Sequence, residues 1–255
     1  MEVSPFSLSG KKILVTGASS GIGRSVAIEC SKSGAEVCML ARDSFRLQET
    51  LDMLKPGNHQ WASIDLNKYD LIESVIENFV KISGPVNGVV HAAGIEFSAP
   101  FNLTKPVHFE KLFSINLISA FELSRILVQK KYMDSSMGGS IVFISSIRAL
   151  FGQEGSLAYS SSKGALSAGT RSLALELSKK RIRVNAILPS IITTPMTQKL
   201  FDSIPEETYN TMLNQHPLGF GSPTDVSLTC IFLLSDASRW MTGTNLILDG
   251  GFSAR

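Results

Sequence analysis

The chain has 255 residues, 44% of them hydrophobic and 18% charged, and a formal net charge of +2. That much apolar material excludes a disordered chain, and the near balance of interspersed charges excludes a broad electrostatic footprint for nucleic acid or an anionic membrane. Cys30, Cys38 and Cys230 form no CxxC pair and no run approaches 18 apolar residues, so no disulfide framework, signal peptide or membrane span is expected, and the expected compartment is a reducing cytoplasm.

In chain order, KKILVTG is a short apolar run closing on glycine, and IGRSVAIECSKSG follows with apolar residues at helical spacing. The order repeats: AEVCMLAR predicts a strand, FRLQETLDML a helix, and QWASIDL a strand after the breaker PGN. A helix near 68 to 82, the strand VNGVVHAAG, one long helical stretch near 106 to 131 and the strand GSIVFISS come next. The helix containing AYSSSKGAL, the strand RVNAILP, a Pro-punctuated segment from 190 to 217, the helix TDVSLTCIFLLS and a last strand TNLILDGG complete the series. Repeated strand-helix alternation with nearly continuous apolar strands predicts an α/β fold, a doubly wound parallel sheet of about seven strands with helices on both faces. No composition break divides residues 1–255, so one domain is expected. The segment 190–217 is either a lid over the substrate side of the crevice or a helical pair that extends the core.

Between the first strand and first helix stands TGASSGIG, with Gly17, Gly21 and Gly23. Glycines at this junction let backbone N–H groups approach a phosphate, and the helix dipole favours an anion there, so a pyrophosphate is the expected guest. At the end of the second strand, MLARD puts Ala41 where a ribose-binding acid would stand and Arg42 beside it, which favours the 2′-phosphate of NADP(H) over NAD(H). Asp43, displaced by one, is the alternative ribose acceptor.

Tyr159 and Lys163 stand four apart, so they share one face of a helix. A free phenol titrates near 10 and bringing it near 7 takes about 4 kcal/mol. One cation at about 4 Å supplies roughly that amount in an effective dielectric near 20, so Lys163 is expected to draw the Tyr159 phenol down. Ser145 and Ser146 end the strand GSIVFISS at the edge where such sheets place their sites, and a serine there can polarise a carbonyl. Asn116 interrupts an apolar helical stretch, a costly place for an amide without a partner.

Glycine loop, asparagine, serine, tyrosine and lysine in this order resemble the short-chain dehydrogenase/reductase family, with TGASSGIG similar to its TGxxxGxG, YSSSK to its YxxxK, and TGTNLILDGG to its closing strand. The resemblance runs from SLSGKK to DGG. It implies a single Rossmann-type domain and an NADP(H)-dependent oxidoreductase that interconverts a carbonyl and a secondary alcohol by hydride transfer. By it, Tyr159 is the general acid/base, Ser146 orients the substrate oxygen, Lys163 lowers the phenol and bonds the nicotinamide ribose, and Asn116 holds a water in the proton relay. Cofactor contacts are implied at Gly17, Ser19, Ser20, Gly21, Ile22, Gly23 and Arg42, and at Asp65 and Leu66 near the adenine. Further contacts are implied at Ala93, Gly94, Tyr159 and Lys163, and at Ile192 and Thr194 beside the carboxamide. Asn185 takes a structural role. Two positions depart from the pattern: NNAG is replaced by HAAG, with His91 expected as a packed histidine, and Ser190 follows Pro189 in place of glycine. His59, His108 and His216 show no metal-ligand spacing, and no metal is expected.

Within the family the leading resemblance is to 3-oxoacyl-[acyl-carrier-protein] reductases, which would make acyl carrier protein a partner. One position of their basic pair matches Lys180, while the other falls on Met137, with Lys130, Lys131 and Arg181 as substitutes. A steroid, sugar, polyol or other small ketone is the alternative substrate, with Arg148, Phe151, Gln153 and Glu154 expected to line its pocket. A non-catalytic dinucleotide-sensing regulator is the alternative of another class, which the intact Tyr159 and Lys163 oppose. The resemblance also implies a homotetramer.

Overall fold

The structure, a computed structural model, describes residues 4–134 and 138–254. Seven parallel strands form one sheet: β1 (Lys12–Thr16), β2 (Glu36–Ala41), β3 (Gln60–Ser63), β4 (Gly88–His91), β5 (Gly139–Ile144), β6 (Ile182–Pro189) and β7 (Asn245–Leu248), in the spatial order β3-β2-β1-β4-β5-β6-β7. The helices between them are α1 (Gly21–Lys32), α2 (Ser44–Asp52), α3 (Tyr69–Ser83), α4 (Pro106–Phe113), α5 (Ser119–Leu127), α6 (Leu157–Leu177), α7 (Pro195–Phe201), α8 (Glu206–Asn214) and α9 (Pro223–Leu234). The expected α/β architecture is the one observed, with every strand except β6 ending one to three residues short of its apolar run.

Alternation along each strand divides the core into two layers. Ile13, Val15, Val37 and Met39 pack with Val26 of α1, Leu47 of α2 and Val226 and Leu233 of α9 on one face. Leu14, Leu40, Ile141 and Phe143 pack with Ile72 and Phe79 of α3, Leu123 of α5 and Leu166 of α6 on the other. The central strands are therefore predominantly apolar on both faces, as a sheet covered on both sides requires.

β1 pairs with β2 on one side and with β4 on the other, Thr16 standing opposite both Leu40 and His91. The chain leaves β1 and β4 in opposite directions at this point, which opens a crevice at the carboxyl edge.

One segment differs from the sequence expectation. The stretch near 106 to 131 is not one helix: α4 and α5 are separated by a π-helical turn, Ser114–Ile118, and α5 ends at Leu127. Residues 190–217 contain two short helices, α7 and α8, and Phe201, Tyr209 and Phe220 cluster with ring centroids 5.1 to 5.5 Å apart. No helix among the described residues is long and apolar enough to cross a membrane.

Candidate active site

The crevice holds two adjoining cavities. The larger, of about 740 Å³, runs from the β1–α1 loop to the ends of β2 and β3. Its wall includes Gly17, Ser19, Ser20, Gly21, Ile22 and Gly23 from the first loop. Arg42, Asp65 and Leu66 follow from β2 and β3, and Ala93, Gly94 and Thr194 complete the expected cofactor set on this side. The smaller, of about 160 Å³, is lined by Ser146, Tyr159, Lys163 and Ile192, with Ile22, Gly94 and Thr194 also on its wall.

The larger cavity fits a dinucleotide on its own geometry. Gly17 has φ +68°, and a Cβ there would lie 2.8 Å from the Ala93 nitrogen; a Cβ on Gly23 would lie 2.3 Å from the Gly17 carbonyl oxygen. Glycine is thus required for the loop to turn tightly enough to present α1 end-on. That helix has no side-chain cap at Ser20 and no acid in its first turn, so its leading N–H groups and dipole are left for an anion. At the ribose end, Asp43 caps α2, its Oδ1 accepting the Arg46 N–H at 3.0 Å, and Arg46 joins Arg42 on the cavity wall. Arg46 escaped the sequence analysis; its signal was the third position of a helix whose cap is an acid.

In the smaller cavity, Tyr159 and Lys163 come from α6 and Ser146 from the turn after β5. Ser145, the neighbouring serine, is spent on α6, its Oγ donating to the Lys163 carbonyl at 3.0 Å and lying 2.8 Å from Ser167 Oγ. Ser146 instead accepts from the Arg148 N–H at 3.2 Å and lines the same cavity as the Tyr159 phenol, whose ionised form it favours. Lys163 Nζ donates to the Ile144 carbonyl at 2.8 Å and stands 5.8 Å from the centre of the Tyr159 ring. A Cβ on Gly94 would lie 3.3 Å from Asn116 Oδ1 and 3.5 Å from Nζ, so Gly94 packs closely against both.

The electrostatics correct one expectation. Burial pushes the Tyr159 phenol up, the Glu96 carboxylate adds to it, and Ser146 and Arg148 oppose. Lys163 is not among the groups that shift the phenol here. It points past the ring to a strand carbonyl, and burial lowers its own ammonium to about 8, against a partial lift from Glu96.

The Asn116 side chain is fully engaged within the protein. Its Oδ1 accepts the Ile95 N–H at 2.9 Å, and Nδ2 donates to the Ile95 carbonyl at 3.0 Å and to Ser162 Oγ at 3.1 Å. Its amide therefore clamps the loop after β4 to α6, and it is not on the wall of either cavity. The π turn places it there. Ser162, one of the serines between Tyr159 and Lys163, is fully buried and donates to the Tyr159 carbonyl at 2.7 Å, which leaves its oxygen free to accept from Asn116.

His91 is a packed histidine: it is buried, stacked on Phe143 with centroids 4.9 Å apart, and Nε2 lies 2.9 Å from Ser124 Oγ. Asn185 ties the end of the sheet together, Nδ2 donating to Met241 O and Oδ1 accepting from the Thr244 N–H. Ser190 pairs with His216 Nε2 at 2.7 Å, fastening the end of segment 190–217 to the edge of β6. Met196, Thr197, Leu200 and Met212 of that segment line the smaller cavity. Of the four residues expected in the substrate pocket, Arg148 and Gln153 line it, whereas Phe151 packs edge-on against Phe252 and Glu154 is exposed. Glu96, on the loop after HAAG, also lines it and was not foreseen; its only signal is a lone acid just past a strand end.

The basic residues expected to meet a carrier protein lie elsewhere. Lys180 follows the carboxyl end of α6, and a helix of 21 residues spans about 30 Å, so Lys180 is at the opposite sheet edge from Tyr159. Lys131 pairs with Glu73 at 3.1 Å, and Met137 lies outside the described residues. No cluster of three or more metal-binding side chains occurs among the described residues.

With the sheet order, the glycine loop and the Tyr159–Ser146–Lys163 centre in place, the chain belongs to the short-chain dehydrogenase/reductase family of oxidoreductases, which use nicotinamide dinucleotides. The family profile described as enoyl-(acyl carrier protein) reductase matches residues 17–253. The 3-oxoacyl-[acyl-carrier-protein] reductase FabG of Thermotoga maritima is 36% identical, covering 96% of this chain and 98% of its own. L-xylulose reductase of Bos taurus is also 36% identical, covering 97% and 98%. A solved structure from Sinorhizobium meliloti, assigned as a short-chain alcohol dehydrogenase, superposes with a TM-score of 0.91 at 33% identity and 98% coverage of both chains.

Proposed function

We propose that this protein is an NADP(H)-dependent reductase that converts a carbonyl to a secondary alcohol. The observation that carries the reading is that Tyr159, Ser146 and Lys163 together line a cavity that adjoins the dinucleotide cleft. When bound, NADP(H) supplies the hydride. Tyr159 donates the proton from Oη to the carbonyl oxygen, and its raised phenol keeps that proton through neutral pH. Ser146 Oγ, held by the Arg148 N–H, orients the same oxygen. Lys163 would hold the nicotinamide ribose, and Asn116 acts as a positioning residue. Preference for NADP(H) is supported by Arg42 and Arg46 at the ribose end and by the use of Asp43 as a helix cap.

Segment 190–217 would act as the lid, since its side chains form one wall of the smaller cavity and Thr194 stands over Gly21. Assembly into a homotetramer is supported by apolar side chains left in solvent, among them Leu175, Trp240 and Ile247. A free small substrate is favoured over a carrier-bound acyl chain, because Lys180 stands at the wrong sheet edge for this chain's own site.

Tyr159→Phe is the test. Turnover of any carbonyl that the native protein reduces should fall by at least a hundredfold, while NADPH binding followed by fluorescence persists. A Tyr159→Phe protein that keeps its turnover would sink the assignment.

A further inference from the structure

Two opposite charges face the smaller cavity beside the phenol, near enough to attract each other but not joined in an ion pair. Glu96 stands on the loop after β4 and Arg148 two residues beyond Ser146. Among the described residues neither makes an ion pair, and Glu96 accepts no hydrogen bond. Arg148 makes one long contact, Nη1 to the Gly152 carbonyl at 3.5 Å, and its guanidinium lies 5.4 Å from the Phe252 ring centre. Both act on the reaction centre, since each perturbs the Tyr159 phenol. Charged groups at a partly dry site cost free energy unless they are paired and hydrogen-bonded. Glu96 is attracted through space by Arg148 and Lys163, but no ion pair or short side-chain hydrogen bond among the described residues completes either charge at the cavity. A guest with matching polar groups would recover that cost.

The matching chemistry is narrow. Glu96 accepts and Arg148 donates, so a guest must offer a donor to one and an acceptor to the other. An acyl chain offers neither and would bury both charges unpaired. A carboxylate guest would suit Arg148 but meet Glu96 as a like charge, and an ammonium guest the reverse. Hydroxyl groups satisfy both, being donor and acceptor at once. Met196, Leu200 and Met212 make an apolar wall, suited to the C–H face of a hydroxylated carbon chain. The cavity, at about 160 Å³, is below the roughly 300–1,000 Å³ of pockets that enclose drug-sized ligands, which limits the guest to a few carbons.

We infer that the substrate is a small polyhydroxylated carbonyl compound, a ketose or its polyol, with Glu96 accepting from one hydroxyl and Arg148 donating to a second oxygen. The inference rests on the carbonyl reduction proposed above. Glu96 and Arg148 then set specificity, while Tyr159 and Ser146 address the carbonyl.

The test assays the native protein with NADPH against four- to six-carbon ketoses, an acetoacetyl thioester, a small keto acid, an amino ketone and an apolar diketone. Ketoses should give the highest kcat/KM. Glu96→Gln and Arg148→Met should each lower the ratio of ketose to diketone kcat/KM by about tenfold or more, because a site built to meet hydroxyls discriminates through them. NADPH binding by fluorescence confirms that each variant is folded. Reduction of the thioester, keto acid, amino ketone or diketone in preference to ketoses overturns the inference and leaves the reaction standing, as does a ratio that neither variant moves. A native protein that binds NADPH and reduces none of the panel overturns both.

Discussion

Burial lowers the His91 imidazole to about 3 from its ordinary 6.5. The folded protein refuses a proton that the unfolded chain takes up as pH falls below about 6.5, so stability declines on acidification through that window and the loss is complete near pH 3. The slope from one such group approaches about 1.4 kcal/mol per pH unit. Urea denaturation at intervals from pH 7 to 4 should show His91→Asn with a shallower loss than the native protein, even where the variant is less stable throughout. Identical slopes would mean that His91 is not the group refusing the proton. The same physics explains the error at Tyr159. The sequence placed a lysine one helical turn away and the Coulomb estimate had the right size, but a spacing of four cannot say that Lys163 Nζ turns to the Ile144 carbonyl, or that Glu96 arrives from another strand. Residue types and order were readable; the direction of a long side chain and the approach of a distant charge were not.

The π turn between α4 and α5 shows the same limit for elements. The periodicity from 106 to 131 is helical throughout, and nothing in FSINLISAF distinguishes a π turn from an α turn. What opens the helix is tertiary: the Asn116 amide reaches Ile95 and Ser162 from there, and π turns recur at functional positions for such reasons. Asn116→Ala would leave the Ile95 N–H and carbonyl without these partners. It should cost about 1–3 kcal/mol, whereas Ser162→Ala, which removes one of the three bonds, should cost about 0.5–1.5 kcal/mol. Denaturant midpoints at matched m-values decide this, and a Ser162→Ala cost equal to that of Asn116→Ala would reject the clamp. By contrast the glycine loop was readable because much of its requirement is local: the positive φ of Gly17 and the packing of Gly23 on the Gly17 carbonyl lie within one strand-turn-helix unit, whereas the close approach of Gly17 to Ala92 and Ala93 comes from the loop after β4.

For the whole molecule, alternation alone predicted the covered parallel sheet, because apolar strands and amphipathic helices leave few other ways to bury both faces. Strand order was not contained in that pattern; the exchange of direction at β1, with neighbours β2 and β4, appears only in the pairing. The cleft created there draws on the ends of β1 to β4 and on segment 190–217, so a ligand filling it opposes global unfolding. NADPH at about 100 times its Kd should stabilise the fold by about 2.7 kcal/mol, and NADH less at equal concentration. Arg42→Asp should reverse that order of melting temperatures, and an unchanged order would remove Arg42 from cofactor choice. Ile22, Ala92, Gly94, Ile95, Thr194 and Met196 border both cavities. Dinucleotide and substrate thus share a partition, and free energy passes through it both ways: whatever factor one ligand imposes on the other's affinity is returned in equal measure. A side-chain change on that wall therefore has no single-ligand phenotype.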